Sequence, residues 1–337
     1  MFTAGVIGAG RMGKIHIENI IKNIPSLTLK IVADIKIDDQ LENWANNIGV
    51  QKLTKNVDDI YNDPEIDVLV IASSTDTHTN FIQKAAEMNK DVFCEKPIGT
   101  DVIRIRETLE IVKKAGIKLM IGFNRRFDKN FKRIKESVAT GHIGIPQLIK
   151  VTARDPVIPP IDYVKTSGGM FLDMTIHDWD MVCFQADSEV EEIYATGAVL
   201  IDPEIGKAGD IDTAAVILKL KSGAIGMVDN SRQAVYGYDQ RVEVFGSKGC
   251  VIADNESSNT VRLYTAEKIN EDNIPYFFLE RFMNSYCAEL QYFVDCLKKN
   301  QKPVPNGEDA LKNVLISLAA QKSYEENRPV KISEINI

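Results

Sequence analysis

Cysteine is scarce and scattered. Cys94, Cys183, Cys250, Cys287 and Cys296 are five in 337 residues, an odd number at wide spacings with no C-x-x-C pair. That excludes a disulfide framework and a thiolate zinc or redox motif, and fits buried thiols in a reducing compartment. Histidine is scarcer still, at four, so no convincing third and fourth ligand joins Asp173 and His177, and no metal site is expected. Long hydrophobic runs are missing. The longest, such as Val68 to Ala72, have strand length, far short of the ~20 residues that span a bilayer. Met1 leads directly into the first strand pattern without a basic region and a long apolar run, so no signal peptide is expected and the reading is cytoplasmic. Positive charge is not in excess either: 40 basic against 48 acidic residues leave net charge -8. With no basic cluster tracking an aromatic platform, nucleic acid is excluded as a partner.

What remains is globular: 44% hydrophobic and 26% charged, without repeats or low complexity. At ~150 residues per domain the length implies two domains. Up to Gly122, strand-like runs ending at Asp34, Ser73, Cys94 and Gly122 alternate with helical patterns after an opening AGVIG. That rhythm predicts βαβ units and a doubly wound parallel sheet over residues 1–122, a Rossmann arrangement. From 123 to 337 the pattern shifts. TAAVILKLKSG, AIGMVDNSR, QRVEVFGSKG and CVIAD alternate apolar with polar side chains through Ser-Gly and Lys-Gly turns. They predict an α+β domain with a large, open, mostly antiparallel sheet, its bare face covered by another subunit. Two late helices, near Phe278–Lys299 and Glu308–Glu326, are expected to pack back on the first domain.

GVIGAGRMGKIH sets Gly8, Gly10 and Gly13 in G-x-G-x-x-G order after a strand and before a helix, with Arg11 and Met12 in the same turn. Gly8 permits the turn, Gly10 admits a pyrophosphate and Gly13 lets helix and strand approach. The helix N-terminus favours phosphate. Asp34 ends the next strand, 21 residues past Gly13, where a carboxylate holds ribose hydroxyls and repels a 2′-phosphate. NAD is therefore expected over NADP, although Lys36 keeps NADP open. Two further strand ends lead into the same region. Ser73, Ser74, Thr75 and His78 follow one, and could cap the next helix, contact the cofactor or both. Glu95 and Lys96, ahead of Pro97, end another at the carboxyl edge where open α/β sheets place ligands.

The stretch GGMFLDMTIHDWDM from Gly168 puts Asp173, His177 and Asp180 on one face at ~100° per helical residue. An N-terminal charge and a satisfied core histidine are the ordinary readings of Asp173 and His177. Taken with Lys96 they suggest a proton relay instead, with His177 as base. Asp180 stays outside the catalytic set. Arg126 or its neighbour Arg125 could donate to vicinal hydroxyls, Asp155 accept from them, and Tyr236 or Tyr238 do either.

G-x-G-x-x-G, EKPIG, GFNRRFD and SGG followed by D-x-x-x-H together resemble the Gfo/Idh/MocA family (glucose-fructose oxidoreductase, inositol dehydrogenase, rhizopine catabolism), over nearly the whole chain. Within it, RDPVIPPIDYVKTSGGMFLDMTIHDWDM is similar to the inositol dehydrogenases. The resemblance implies NAD-dependent oxidation of a ring hydroxyl of inositol, myo-inositol to 2-keto-inositol. It places the catalytic residues at Lys96, Asp173 and His177, a cis peptide before Pro97, and substrate contacts at Lys96, Arg126, Asp155, Asp173, His177 and Tyr238. A homotetramer is implied too. Ala153 departs from relatives that carry histidine there. A dehydrogenase of a pyranose such as glucose, and a non-catalytic NAD-sensing regulator, are the competing readings.

Overall fold

A computed structural model describes residues 1–335. The chain divides into two compact units. Among the described residues, the first comprises Met1–Asn124 and Asn284–Val314, and the second Arg125–Met283 and 315–335. Each unit thus takes part of the late helical region.

In the first unit, β1 (Phe2–Ile7), α1 (Arg11–Asn23), β2 (Leu27–Ala33), α2 (Asp39–Ile48), β3 (Lys52–Thr54), α3 (Asp58–Tyr61), β4 (Val68–Ile71), α4 (Thr75–Glu87), β5 (Asp91–Glu95), α5 (Val102–Ala115) and β6 (Leu119–Gly122) follow in order. The six strands are parallel, in the order β3-β2-β1-β4-β5-β6. This is the doubly wound sheet that the alternating pattern predicts. Every residue of β4 and β6 is buried, as expected of strands covered on both faces, which is why they read as unbroken apolar runs. Phe93 of β5 is inaccessible and meets Phe293, ring centroids 6.0 Å apart. Burying such a ring contributes roughly 1.5–3 kcal/mol. Edge strand β3, only three residues long and half exposed, carries too little apolar patterning to be read from sequence.

The second unit contains α6 (Lys129–Ala139), β7 (Pro146–Arg154), α7 (Ile161–Ser167), α8 (Ile176–Ala186), β8 (Val190–Ala198), α9 (Pro203–Lys207), β9 (Thr213–Leu220), β10 (Ile225–Ser231), β11 (Asp239–Gly246), β12 (Gly249–Ala253) and a small hairpin, β13 (Arg262–Tyr264) and β14 (Ile269–Glu271). Two long helices, α10 (Phe278–Lys298) and α11 (Gly307–Glu326), and strand β15 (Val330–Lys331) end the chain. Seven strands order as β12-β11-β7-β10-β9-β8-β15. All neighbours are antiparallel except β10 with β7. Alternation along β9 is strict, buried residues interleaved with exposed ones. Helix α8 lies on the sheet's covered side, held by Trp179, whose Nε1 donates to Ser317 Oγ (3.1 Å) and lies 3.3 Å from the Phe171 carbonyl oxygen. Tyr194, Ile217, Phe245 and Ile252 stay exposed. No helix of the described residues is long and apolar enough to cross a membrane.

Candidate active site

In the first unit, the turn between β1 and α1 has the geometry a dinucleotide requires. Gly8 adopts φ +95°, and a Cβ there would stand 2.6 Å from the Ala72 carbonyl oxygen, so only glycine fits. A Cβ on Gly13 would overlap the Gly8 carbonyl, whereas one on Gly10 meets nothing within 4 Å. The space beside Gly10, at the N-terminus of α1, is where backbone N–H groups and the helix dipole accept a phosphate. Arg11 is exposed and Met12 half-buried at the same mouth. Asp34 Oδ2 accepts from the Ala9 N–H (2.6 Å) and Oδ1 from the Lys36 N–H (2.7 Å). These bonds fix the carboxylate against the turn, and each oxygen keeps a second lone pair for a ribose hydroxyl.

The ends of β4 and β5 are tied together by His78. Its Nδ1 lies 2.8 Å from the Pro97 carbonyl and its Nε2 3.1 Å from that of Ser73. With 1% exposure, His78 is a structural clip; burial lowers its pKa from the usual value, against the pull of both carbonyls. Ser73 Oγ pairs with Thr77 Oγ1 at 2.7 Å, and Thr77 Oγ1 donates to the Ser74 carbonyl (2.7 Å). Thr75 opens α4. The Lys96–Pro97 peptide is cis, as the resemblance implies, and Lys96 itself is half-buried. Glu95 faces inward, its Oε1 2.7 Å from His16 Nε2. The carboxylate expected at the cofactor is thus engaged in the interior.

In the second unit, Gly168 (φ +91°) ends α7 and Gly169 (φ +81°) starts a wide turn over Met170–Met174, closed by the Thr175 N–H on the Met170 carbonyl (2.9 Å). Asp173 lies inside this five-residue turn, ahead of α8, so the 100° count that put Asp173, His177 and Asp180 on one face does not hold through it. Asp210 Oδ1 accepts from the Met170 N–H (2.9 Å) and Oδ2 from Arg232 Nη2 (3.1 Å). Arg232 Nη1 also reaches to 4.0 Å from Asp173 Oδ2, and Tyr163 OH donates to Asp173 Oδ1 at 2.8 Å. Asp173 is therefore held by a buried guanidinium and a phenol. His177 sits half-buried in the first turn of α8.

A second network runs beside it. Arg125 donates to Asp178 Oδ1 and, at 3.5 Å, to Tyr238 OH; Asn230 Nδ2 donates to Asp178 Oδ2 (2.8 Å), and Thr175 Oγ1 to Asn230 Oδ1 (2.9 Å). Burial pushes the Tyr238 phenol up to about 12, against the opposing pull of Arg125. Asp155 belongs to the same charge field. Burial raises its carboxyl to about 6, Arg232 and Arg125 oppose the rise, and Asp173 and Asp178 add to it. A carboxyl poised there can accept from or donate to a hydroxyl near neutral pH.

Arg126 is placed differently from the sequence expectation. Its Nε and Nη2 donate to Asp180 Oδ2 (2.8 Å) and Oδ1 (2.6 Å), and its guanidinium stacks over Phe184 at 5.3 Å. That fork grips the Asp180 carboxylate. Arg125, the neighbour offered alongside Arg126, is the arginine beside Tyr238. Tyr236 is exposed and donates to Asp239 Oδ2 (2.6 Å), whereas Tyr238 is 7% exposed. Ala153 is fully buried in β7. Sequence reasoning missed Arg232, Asp210 and Asn230, which no motif marks, and Tyr163, which lies within the run from Arg154 to Met181 without standing out there.

Residues 2–123 match the model of an oxidoreductase family with an NAD-binding Rossmann fold, and residues 131–252 match the GFO/IDH/MocA C-terminal domain. The chain belongs to the GFO/IDH/MocA family. It is 48% identical over 331 residues, 98% of each chain, to the myo-inositol 2-dehydrogenase of Thermotoga maritima. The structure of a probable dehydrogenase from Thermotoga maritima superposes with a TM-score of 0.97 at 47% identity, covering 99% of this chain and 100% of the other. The scyllo-inositol dehydrogenase of Lactobacillus casei, with bound NAD(H) and scyllo-inositol, gives 0.92 at 31% identity and 99% coverage of both.

Proposed function

We propose that the chain is an NAD-dependent inositol dehydrogenase that oxidises one ring hydroxyl of myo-inositol to the ketone, 2-keto-inositol. The observation that carries this is the 48% identity along 98% of a myo-inositol 2-dehydrogenase, together with a second unit whose polar groups, buried Tyr238 and Arg125 and half-buried Asp155, suit a polyhydroxylated ring. A substrate this polar needs convergent donors and acceptors rather than an apolar slot. NAD, when bound, supplies the hydride acceptor. Gly8, Gly10, Gly13 and Asp34 would hold its phosphates and adenosine ribose, and the carboxylate of Asp34 disfavours a 2′-phosphate.

The chain's own residues then handle the proton. His177 takes it from the hydroxyl as general base, since imidazole titrates close to neutral pH. Asp173, fixed by Tyr163 and Arg232, orients the imidazole or the substrate. The Lys96 ammonium stabilises the negative charge that grows on oxygen. Asp155 and Tyr238 position the remaining hydroxyls. The test is turnover: myo-inositol should reduce NAD, Lys96→Ala and His177→Ala should each lose ~10²- to 10⁴-fold in kcat, and NAD affinity should persist. Near-normal rates in either variant would remove that residue from the relay.

The exposed apolar face of the seven-stranded sheet, carrying Tyr194, Ile217, Phe245 and Ile252, supports assembly through that sheet into a homotetramer. A monomeric mass in solution would refute it. Five free cysteines favour a reducing, cytoplasmic setting.

A further inference from the structure

Behind the Lys96 turn, in the first unit, three ionisable side chains from three elements meet in an apolar box. His16 (α1) and Glu289 (α10) are completely buried and Glu95 (end of β5) is 7% exposed. One donor atom from each lies within 4.8 Å of the other two. His16 Nε2 and Glu95 Oε1 are already paired at 2.7 Å. The walls are aromatic: the His16 ring stands edge-on to Phe93 (5.1 Å) and Tyr286 (6.3 Å). Neither carboxyl oxygen of Glu289 has a hydrogen-bond partner among the described residues, and nor does His16 Nδ1.

Charge decides the protonation. His16 and Glu95 satisfy one another through their 2.7 Å bond. A carboxylate charge on Glu289, close to that of Glu95 and with neither solvent nor a hydrogen-bond partner, would be strongly disfavoured. Glu289 therefore keeps its proton; burial first, and the Glu95 charge second, raise its pKa well above the usual range.

Position supplies the purpose. Glu95 immediately precedes Lys96, and its Oε2 lies 3.3 Å from the Lys96 backbone N–H. On the adjacent strand the carboxyl fills the space left by Gly122, where a Cβ would stand 3.2 Å from Oε2. On the far side of the turn, His78 holds the Pro97 carbonyl. We propose that His16 and Glu289 are positioning residues for the dehydrogenase reaction: His16, bonded to Glu95, ties the Glu95–Pro97 turn to the helix that follows the glycine loop, and a protonated Glu289 packs beside that pair without adding a second buried charge. This rests on the reading of Lys96 as a catalytic residue. One imidazole with two carboxylates is also a donor set for a divalent transition metal. The closed His16–Glu95 pair favours protons, and metal is an outcome of the test.

The test uses the intact NAD-bound protein. Infrared spectra near neutral pH should show a protonated-carboxyl band that Glu289→Gln removes. Kinetically, Glu289→Leu should lower kcat ~10- to 100-fold, the scale of a small misplacement of a reacting group, while the Kd for NAD stays within about twofold. Glu289→Gln, neutral and isosteric, should restore kcat to within about twofold of wild type. Three results overturn the proposal: no carboxyl band lost in Glu289→Gln, a Gln variant as impaired as Leu, or stoichiometric divalent metal in the purified wild type that Glu289→Gln loses. Lys96→Ala, assayed in parallel, separates the two readings, because retained turnover there sinks the catalytic assignment without touching the infrared result.

Discussion

Replacing Asp155 with Asn should make the protein more stable and less active, with a pH dependence that identifies the cause. The carboxyl sits at about 6 in the folded chain against an ordinary 3.8, a rise of about two units or, at 1.36 kcal/mol per unit, about 3 kcal/mol. Because the folded value lies above the unfolded one, the folded state favours the protonated form. Wild type therefore keeps its full stability below about pH 4 and loses up to about 3 kcal/mol of it as pH rises through about 6. The amide carries no such penalty, so the variant's advantage should be near zero in acid and largest above about pH 6. Trp44 and Trp179 are the two tryptophans. In a Trp44→Phe background, urea unfolding followed by fluorescence reads the unit that contains Trp179 and Asp155. The same ionisation should appear in catalysis as an inflection in kcat/KM near pH 6 that Asp155→Asn removes while lowering turnover. A stability difference constant across that pH range would refute the reasoning, since it would show that the carboxyl titrates alike in folded and unfolded chains.

Other outcomes follow from the same geometry. Gly8→Ala forces a Cβ to 2.6 Å from the Ala72 carbonyl at φ +95°; strain of about 1–3 kcal/mol should appear in thermal unfolding together with weaker NAD binding, and unchanged titrations would contradict the cradle. Asp34→Ser removes the charge that repels a 2′-phosphate, so the ratio of NADP to NAD efficiency should rise at least ~10-fold, about 1.4 kcal/mol, in paired steady-state assays. Arg125→Leu leaves Asp178 ionised and buried without its cation, and should cost about 3–5 kcal/mol in denaturant unfolding. Arg125→Leu combined with Asp178→Leu should recover much of that loss.

Local rules reach far into this chain, and they fail at identifiable places. The glycine turn, the acidic end of β2 and the rhythm of the first unit are written in residues whose conformational demands are local, so sequence alone places them. The four strands from Thr213 to Ala253 are legible for the same reason, because alternation maps directly onto a one-sided sheet. Strand β3 is lost because three residues at an edge carry no periodicity. The parallel pairing of β10 with β7, Gly226 opposite Ile149, joins segments more than seventy residues apart and leaves no local trace. The wide turn before α8 misleads in another way: Asp173 and His177 are evident as chemistry, but a helical count assumes a regular helix. The partners of Arg125 and Arg126 are not legible because the two are adjacent, and only packing shows that Asp180 takes one while Asp178 and Tyr238 take the other. Arg232 and Glu289 are isolated charges in sequence, and acquire meaning only once their buried neighbours are known.

The central claim is that Lys96, Asp173 and His177 serve one oxidation of a cyclitol hydroxyl. Its most direct measurement is nicotinamide absorbance on mixing purified protein with NAD and myo-inositol, alongside Lys96→Ala and His177→Ala with NAD affinity measured for each. The account predicts NADH from the wild type, with turnover slowed by orders of magnitude and NAD still bound in both variants. Tight NAD binding with no NADH from myo-inositol or any other cyclitol would contradict it.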